Sequence, residues 1–264
     1  MKFNTLDWLL APIYLYQATK VKQNAISLPE PCGDRSGCRQ LGGDCGTFRL
    51  MIVGDSAAAG VGSTHQDTAA SGRIIHHVSA HLYDTCTHLD WQLHATTGHT
   101  SGQILARLYT LPTQAIDTVV ISVGVNDVVK RTSDTIWQHN IRAMIAVLVR
   151  KFAAKQVIFL SLPPMSLMPS LPAPLCHLLA RQARRLDRLL QAVCKHDDTG
   201  VALYLSDEFA KHRLDPKAMF ANDGFHPSVK TYDIWAMTIS HAIKERFVHI
   251  CHQNTISTRP NTAV

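Results

Sequence analysis

Five short apolar runs, each followed by a stretch of helical period, set the rhythm of the chain. Leu50-Met51-Ile52-Val53 is uninterrupted, Leu89–Ala95 alternates, Thr118–Val123 is nearly all β-branched, and Val157–Leu160 and Val201–Leu205 complete the series. A run as rich in Val and Ile as Thr118–Val123, without a polar face, suits a central strand covered on both sides in a parallel sheet. Between them apolar positions recur at three- and four-residue spacing. This predicts helices over Thr68–Tyr83, around Ile104, Leu105 and Leu108, over Ile136–Phe152 (Ile141, Met144, Ile145, Leu148 and Val149 inward), over Leu175–Cys194 and over roughly Ser228–Phe247. Strand and helix alternate without an internal repeat or an obvious linker. The pattern predicts an α/β fold with one doubly wound parallel sheet.

The flanks follow other patterns. Residues 3–26 concentrate Leu6, Trp8, Leu9, Leu10, Ile13, Tyr14, Leu15 and Tyr16 ahead of Lys20 and Lys22, with Pro12 bending or restarting a helix. Aromatics beside lysines suit an interfacial membrane anchor; a helical arm packed on the main domain explains them as well. Residues 29–47 form a Gly/Pro/Cys stretch that reads as a surface linker. Its Cys32, Cys38 and Cys45 lack a C-x-x-C pair and a nearby histidine, so zinc is not expected there. Residues 161–175 hold five prolines among leucines and methionines. Such a segment stays non-helical, and either lines an acyl-binding groove or caps the core, the cap being the reading for most of it. The expected division is an arm and loop at 1–48, a main domain at 49–248, and a polar tail at 249–264.

Composition narrows the classes. A chain of 264 residues, 46% hydrophobic and 17% charged, can bury one substantial core and does not read as disordered. The net charge of +6 fits an anionic membrane surface or a basic soluble enzyme. It does not point to nucleic acid, because no run of Lys/Arg is interleaved with aromatics. Seven cysteines is an odd number for a secreted disulfide framework. Lys2 alone makes a poor signal-peptide start, Asp7 interrupts the apolar stretch, and no segment reaches the roughly 18 apolar residues of a spanning helix. The expectation is a cytoplasmic setting, at the membrane's cytoplasmic face if the arm binds lipid.

The chemistry starts at Gly54-Asp55-Ser56-Ala57-Ala58-Ala59-Gly60, directly behind the first apolar run. Ser56 falls in the turn between a strand's carboxyl end and a helix start, where open α/β sheets build their sites and backbone N–H groups are free. A serine so placed is a nucleophile if a base takes its proton. His226 is the best candidate base, and Asp223, three positions earlier in a Gly-containing turn, can fold its carboxylate onto the ring. That bond fixes the tautomer and leaves the other ring nitrogen for the serine. Alone, Asp-x-x-His is equally a surface turn, and 170 positions separate Ser56 from His226. An oxyanion hole would need donors at the same sheet edge: the Ser56 N–H, the Gly98 N–H and the Asn126 amide. Singly, Gly98 serves as well as a turn glycine and Asn126 as a loop cap.

Together these residues resemble a known family. Gly-Asp-Ser at 54–56, Gly98, Gly-Val-Asn-Asp at 124–127 and Asp-Gly-Phe-His-Pro at 223–227 are similar to the four sequence blocks of the SGNH/GDSL hydrolases, in that family's order. The resemblance covers approximately residues 49–247 and takes its specificity from the ensemble. It implies a flavodoxin-like three-layer α/β/α sandwich on a central five-stranded parallel sheet. It also implies hydrolysis of carboxylic esters or thioesters without a metal or cofactor. Residue by residue, it makes Ser56 the nucleophile and first oxyanion donor, Gly98 and Asn126 the other donors, His226 the base and Asp223 its orienting partner. The chain departs from the pattern at Ala57, where leucine is frequent, and at His94, where asparagine is common in that region. The implied substrate is a small-molecule or lipid ester, and activity is expected to fall as acid protonates the imidazole.

Two rivals remain at this level. Gly60-Val-Gly62-Ser-Thr-His65 suggests a nucleotide loop, but the third glycine and a G-K-[ST] are missing. A catalytically silent lipid- or membrane-binding protein on the same fold is compatible with the composition and the arm, and leaves the five catalytic residues without a purpose.

Overall fold

A computed structural model describes residues 5–206 and 215–257. Its centre is a six-stranded sheet made of β1 (Ser36–Gln40), β2 (Thr47–Gly54), β3 (His88–Ala95), β4 (Thr118–Ser122), β5 (Gln156–Leu160) and β6 (Ala202–Leu205), in the order β1-β3-β2-β4-β5-β6. Strands β2 to β6 pair in parallel. Their register lines up Leu93, Ile52, Val120, Ile158 and Leu203 in one row across the sheet. Because side chains alternate along a strand, that row faces one layer, and Met51, Val119 and Val157, one position earlier, face the other.

Helices α4 (Ala70–Leu82) and α10 (Val229–Ser257) cover the first face, and α5 (Ser101–Thr110), α7 (Asp134–Phe152) and α8 (Leu175–Lys195) cover the second. Trp137 on α7 is fully buried and donates its indole N–H to the Leu186 carbonyl at 3.0 Å, fastening α7 to α8. Shorter helices are α1 (Thr5–Leu9), α2 (Ala11–Asn24), α3 (Ser56–Ala59), α6 (Val125–Val129) and α9 (Pro216–Met219). The parallel strands follow the flavodoxin-like order, whose switch point falls between the first and third of them, here β2 and β4. The segments after those two strands contain Ser56 and Asn126, so topology sets both at the crevice.

Two expectations need correction, at residues 29–47 and at the carboxyl-terminal tail, while the proline-rich segment caps the core as read. The stretch read as a surface linker at 29–47 contains β1, which pairs antiparallel with β3 and adds a sixth strand to the five expected. Its residues Ser-Gly-Cys-Arg-Gln are all exposed, so an edge strand formed here without any apolar alternation. A side chain at Gly37 would meet the Trp91 ring at 2.4 Å; the bare glycine lets the indole lie against the strand. The last helix runs past Phe247 to Ser257, into the expected tail, of which residues 258–264 lie outside the described residues. In the proline-rich segment Leu162, Met165 and Leu171 are buried in the core as caps, while Pro163 and Met168 line a cavity. Among the described residues no helix is long and apolar enough to cross a membrane.

Candidate active site

Strand β2 ends at Gly54, and Asp55, extended at φ −96° and ψ −153°, caps α3 by accepting from the Ala57 N–H at 3.2 Å. The same oxygen accepts from the Ser122 hydroxyl at 3.3 Å, tying the turn to the end of β4. Ser56 is thereby held as the first residue of α3, where its N–H has no partner inside the helix. Asp55 is almost fully buried, and burial pushes its carboxyl up to about 7, with nearby Asp127 adding to the rise.

The second half of the site is a tight turn. Phe220 and Pro227 form a bridge, the Ala221 N–H bonds to the His226 carbonyl at 2.8 Å, and Gly224 takes φ +64°, which a residue with a Cβ adopts only under strain. Asp223 Oδ1 accepts from the Phe225 and His226 N–H groups at 3.0 Å each, while its Oδ2 lies 2.5 Å from His226 Nδ1. Burial works to raise the Asp223 pKa, but these bonds outweigh it and hold the carboxyl below its ordinary value. On the far side of the ring, His226 Nε2 is 3.0 Å from Ser56 Oγ, across 170 residues of chain. Ser170 braces the turn from outside, donating to the Gly224 carbonyl from both N–H (3.2 Å) and Oγ (3.0 Å), and Tyr232 on α10 donates to the Val61 carbonyl at 2.6 Å, tying α10 to the segment after α3.

Gly98 sits on the loop after β3 and Asn126 at the start of α6 after β4, on either side of the Ser56 turn. Asn126 Nδ2 donates to the His99 carbonyl at 3.0 Å, and Lys130 Nζ donates to the Gly98 carbonyl at 3.2 Å, so the two loops are stitched to each other. Gly98 has φ +83° and nothing within 4 Å of where a side chain would be, leaving its backbone open to an approaching ligand. The cavity that touches Ser56 and His226 is walled by Val125, Pro163, Met168, Phe225 and Trp235. Gly98 and Asn126 are not part of its lining. The structure therefore joins Ser56, His226 and Asp223 by contact, and places Gly98 and Asn126 on the adjacent segments after β3 and β4. Of the two departures from the family pattern, Ala57 lines the cavity, while half-buried His94 bonds to Gln92 Oε1 at 2.7 Å.

Several contributors were invisible to sequence patterns. Glu30, in the supposed linker, accepts from the Thr97 N–H (2.9 Å) and hydroxyl (2.7 Å), and Arg35 pairs with it at 2.8 Å while also donating to the Ala95 carbonyl. This clamp holds the turn that carries Gly98. Fully buried Asp127 accepts from the Ser101 N–H (2.8 Å), the Ser101 hydroxyl (2.7 Å) and the Thr132 hydroxyl (2.8 Å), locking α5 to the Asn126 loop. Only its place in the Gly-Val-Asn-Asp block marked it beforehand. Among the described residues no group of three His, Cys, Asp or Glu could hold a metal ion, and the cysteines from Cys32 to Cys194 are free thiols.

Comparison with known proteins bears on the family and the fold. A family model described as GDSL-like lipase/acylhydrolase matches residues 52–234. The chain is 26% identical over 232 residues to the GDSL-like esterase Rv1075c of Mycobacterium tuberculosis, covering 81% of this chain and 68% of that protein. Among solved structures, the acetylxylan esterase Axe2 of Geobacillus stearothermophilus superposes with a TM-score of 0.55 at 17% identity, over 78% of this chain and 96% of its own. A lipase/acylhydrolase from Enterococcus faecalis gives 0.51 at 19% identity, over 75% and 96%. The structural likenesses carry the three-layer fold.

Proposed function

The chain belongs to the GDSL-like lipase/acylhydrolase family and is a carboxylic ester hydrolase; from this premise we propose that it works through a Ser56–His226–Asp223 triad and an acyl-enzyme. The observation that carries the reading is the unbroken line of contacts Asp223 Oδ2–His226 Nδ1 and His226 Nε2–Ser56 Oγ, at 2.5 and 3.0 Å. Ser56 Oγ attacks the acyl carbon while His226 Nε2 takes its proton, and Asp223 holds the ring and stabilises the imidazolium. The oxyanion is met by the Ser56 N–H, with the Gly98 N–H and the second Asn126 amide hydrogen as further donors. The imidazolium then protonates the leaving alcohol. Water, deprotonated by the same histidine, releases the acid and restores Ser56. Nucleophile, base and oxyanion donors in this mechanism are all groups of the chain itself, and it calls on no cofactor.

The substrates in this reading are short- to medium-chain acyl esters, extending to lysophospholipids or thioesters. The support is the apolar wall of Val125, Met168, Phe225 and Trp235 beside the serine. Labelling with a fluorophosphonate probe tests the nucleophile. Wild type should label and Ser56→Ala should not, with turnover of p-nitrophenyl esters reduced by roughly 10⁴-fold or more. Equal labelling of both would remove Ser56 from the reaction, and no labelling of either would favour the silent lipid-binding protein. A chain-length series of p-nitrophenyl esters beside an acyl-CoA then separates the substrate classes.

A further inference from the structure

The amino-terminal arm meets the body along one narrow stripe. Asp7, Leu10, Tyr14, Gln17 and Val21, at three- and four-residue spacing, are among its covered positions. Asp7 Oδ2 accepts from Arg181 at 2.5 Å, Gln17 donates to the Ala173 carbonyl at 2.6 Å and accepts from the Leu175 N–H at 3.1 Å, and Val21 packs on the core. The arm thus lies antiparallel along the first turns of α8. What it turns outward is apolar: Trp8, Leu9, Leu15 and Tyr16 are 70%, 74%, 63% and 64% exposed, and Ile13 is exposed beside them. A contiguous apolar patch of this kind on a soluble surface marks an interaction site.

The charges around the patch decide the partner. Lys20 and Lys22 stand at its carboxyl end, with Lys20 Nζ 5.9 Å from the Tyr16 ring centroid. At the other end α8 continues past Arg181 to Arg184 and Arg188, both exposed. The single acidic residue in the first 29 positions is Asp7, buried against Arg181. An apolar centre with aromatic members and a rim of one sign complements a bilayer bearing anionic headgroups. We propose that the outer face of residues 8–22 docks this protein on an anionic lipid surface, with Trp8, Leu9, Leu15 and Tyr16 set into the boundary between headgroups and acyl chains. The loop that holds the arm at Ala173 and Leu175 also supplies Met168 to the cavity wall, so the docked surface adjoins the cavity. The inference stands whichever residue is the nucleophile.

Sedimentation of the full chain with vesicles tests it. Wild type should pellet with vesicles of equal parts phosphatidylglycerol and phosphatidylcholine, and weakly with phosphatidylcholine alone. Leu9→Glu with Leu15→Glu should lower binding by about tenfold or more, since both lose their apolar partner. Lys244→Glu changes net charge by the same amount, but lies on α10 across the sheet, and should bind as wild type does. Thermal melting followed by circular dichroism should match among the proteins. If the double variant melts lower, Lys20→Gln with Lys22→Gln replaces it and should lose binding to the anionic vesicles selectively. Wild type remaining in the supernatant, arm variants pelleting like wild type, or Lys244→Glu failing equally would each overturn the proposal. So would a dimer in light scattering that the arm variant breaks in the absence of vesicle binding, which would give the face to a second copy of the chain.

Discussion

Asp223 does two things with one carboxylate. Oδ1 folds the turn by accepting two backbone N–H groups, and Oδ2 orients the imidazole, so the geometry of the base is built within four residues. That is why this half of the site was legible in the sequence: Asp-x-x-His with an intervening glycine specifies its own local fold. Asn126 is a different case. One amide hydrogen is committed to the His99 carbonyl, and in the proposed mechanism the other is the oxyanion donor. Asn126→Ala should therefore lower kcat by about 10²- to 10³-fold with little change in KM, because the missing bond forms in the transition state. Steady-state kinetics on one soluble ester read both constants. A rise in KM with kcat unchanged would place Asn126 in ground-state binding instead.

At the scale of elements, the segments after β2, β3 and β4 must keep their spacing with no more than the short helices α3 and α6 to stiffen them. The structure does this with polar clamps contributed from far away in sequence. Glu30 reaches Thr97 across 67 positions, and Asp127 reaches Ser101 across 26. Glu30→Ala should slacken the turn carrying Gly98 and reduce kcat by about ten- to a hundredfold, as expected when positioning is lost by an ångström or less. Glu30→Gln, which keeps an acceptor for Thr97, should recover much of that loss; equal activity in all three proteins would show the clamp to be idle. Edge strand β1 belongs to the same scale. Its five exposed residues carry no burial signal, and its pairing is decided by the free edge of β3 and by Gly37 receiving Trp91. Hydrophobic periodicity cannot detect an element whose stability comes from a neighbour's unpaired backbone.

The whole molecule carries a buried acid, Asp55, next to Ser56. A carboxyl raised from 3.8 to about 7 is neutral in the folded protein over a range where the unfolded chain is ionised. The folded state then binds more protons, so this contribution is fully present below about pH 4 and is lost as pH rises through about 7. The difference amounts to about 4 kcal/mol. Asp55→Asn keeps an oxygen for the Ala57 N–H and removes the titration. Its unfolding free energy in urea should therefore vary less between pH 4 and 8 than that of wild type, whose stability should drop relative to the variant at the alkaline end. Parallel curves for the two proteins would mean that Asp55 is ionised in the fold.

The amino-acid sequence by itself determined the five parallel strands, the helices between them and the identity of the residues at the carboxyl edge. Period-two and period-3.6 burial is written in local order, and a turn such as 223–226 closes on itself. Tertiary structure decided the remainder: that Ser56 and His226 meet at 3.0 Å, that Glu30 braces the Gly98 turn, and that the arm shows its apolar side to solvent. These are contacts between segments far apart along the chain. They follow from strand order and from which helix covers which face, and no short window of sequence contains both partners.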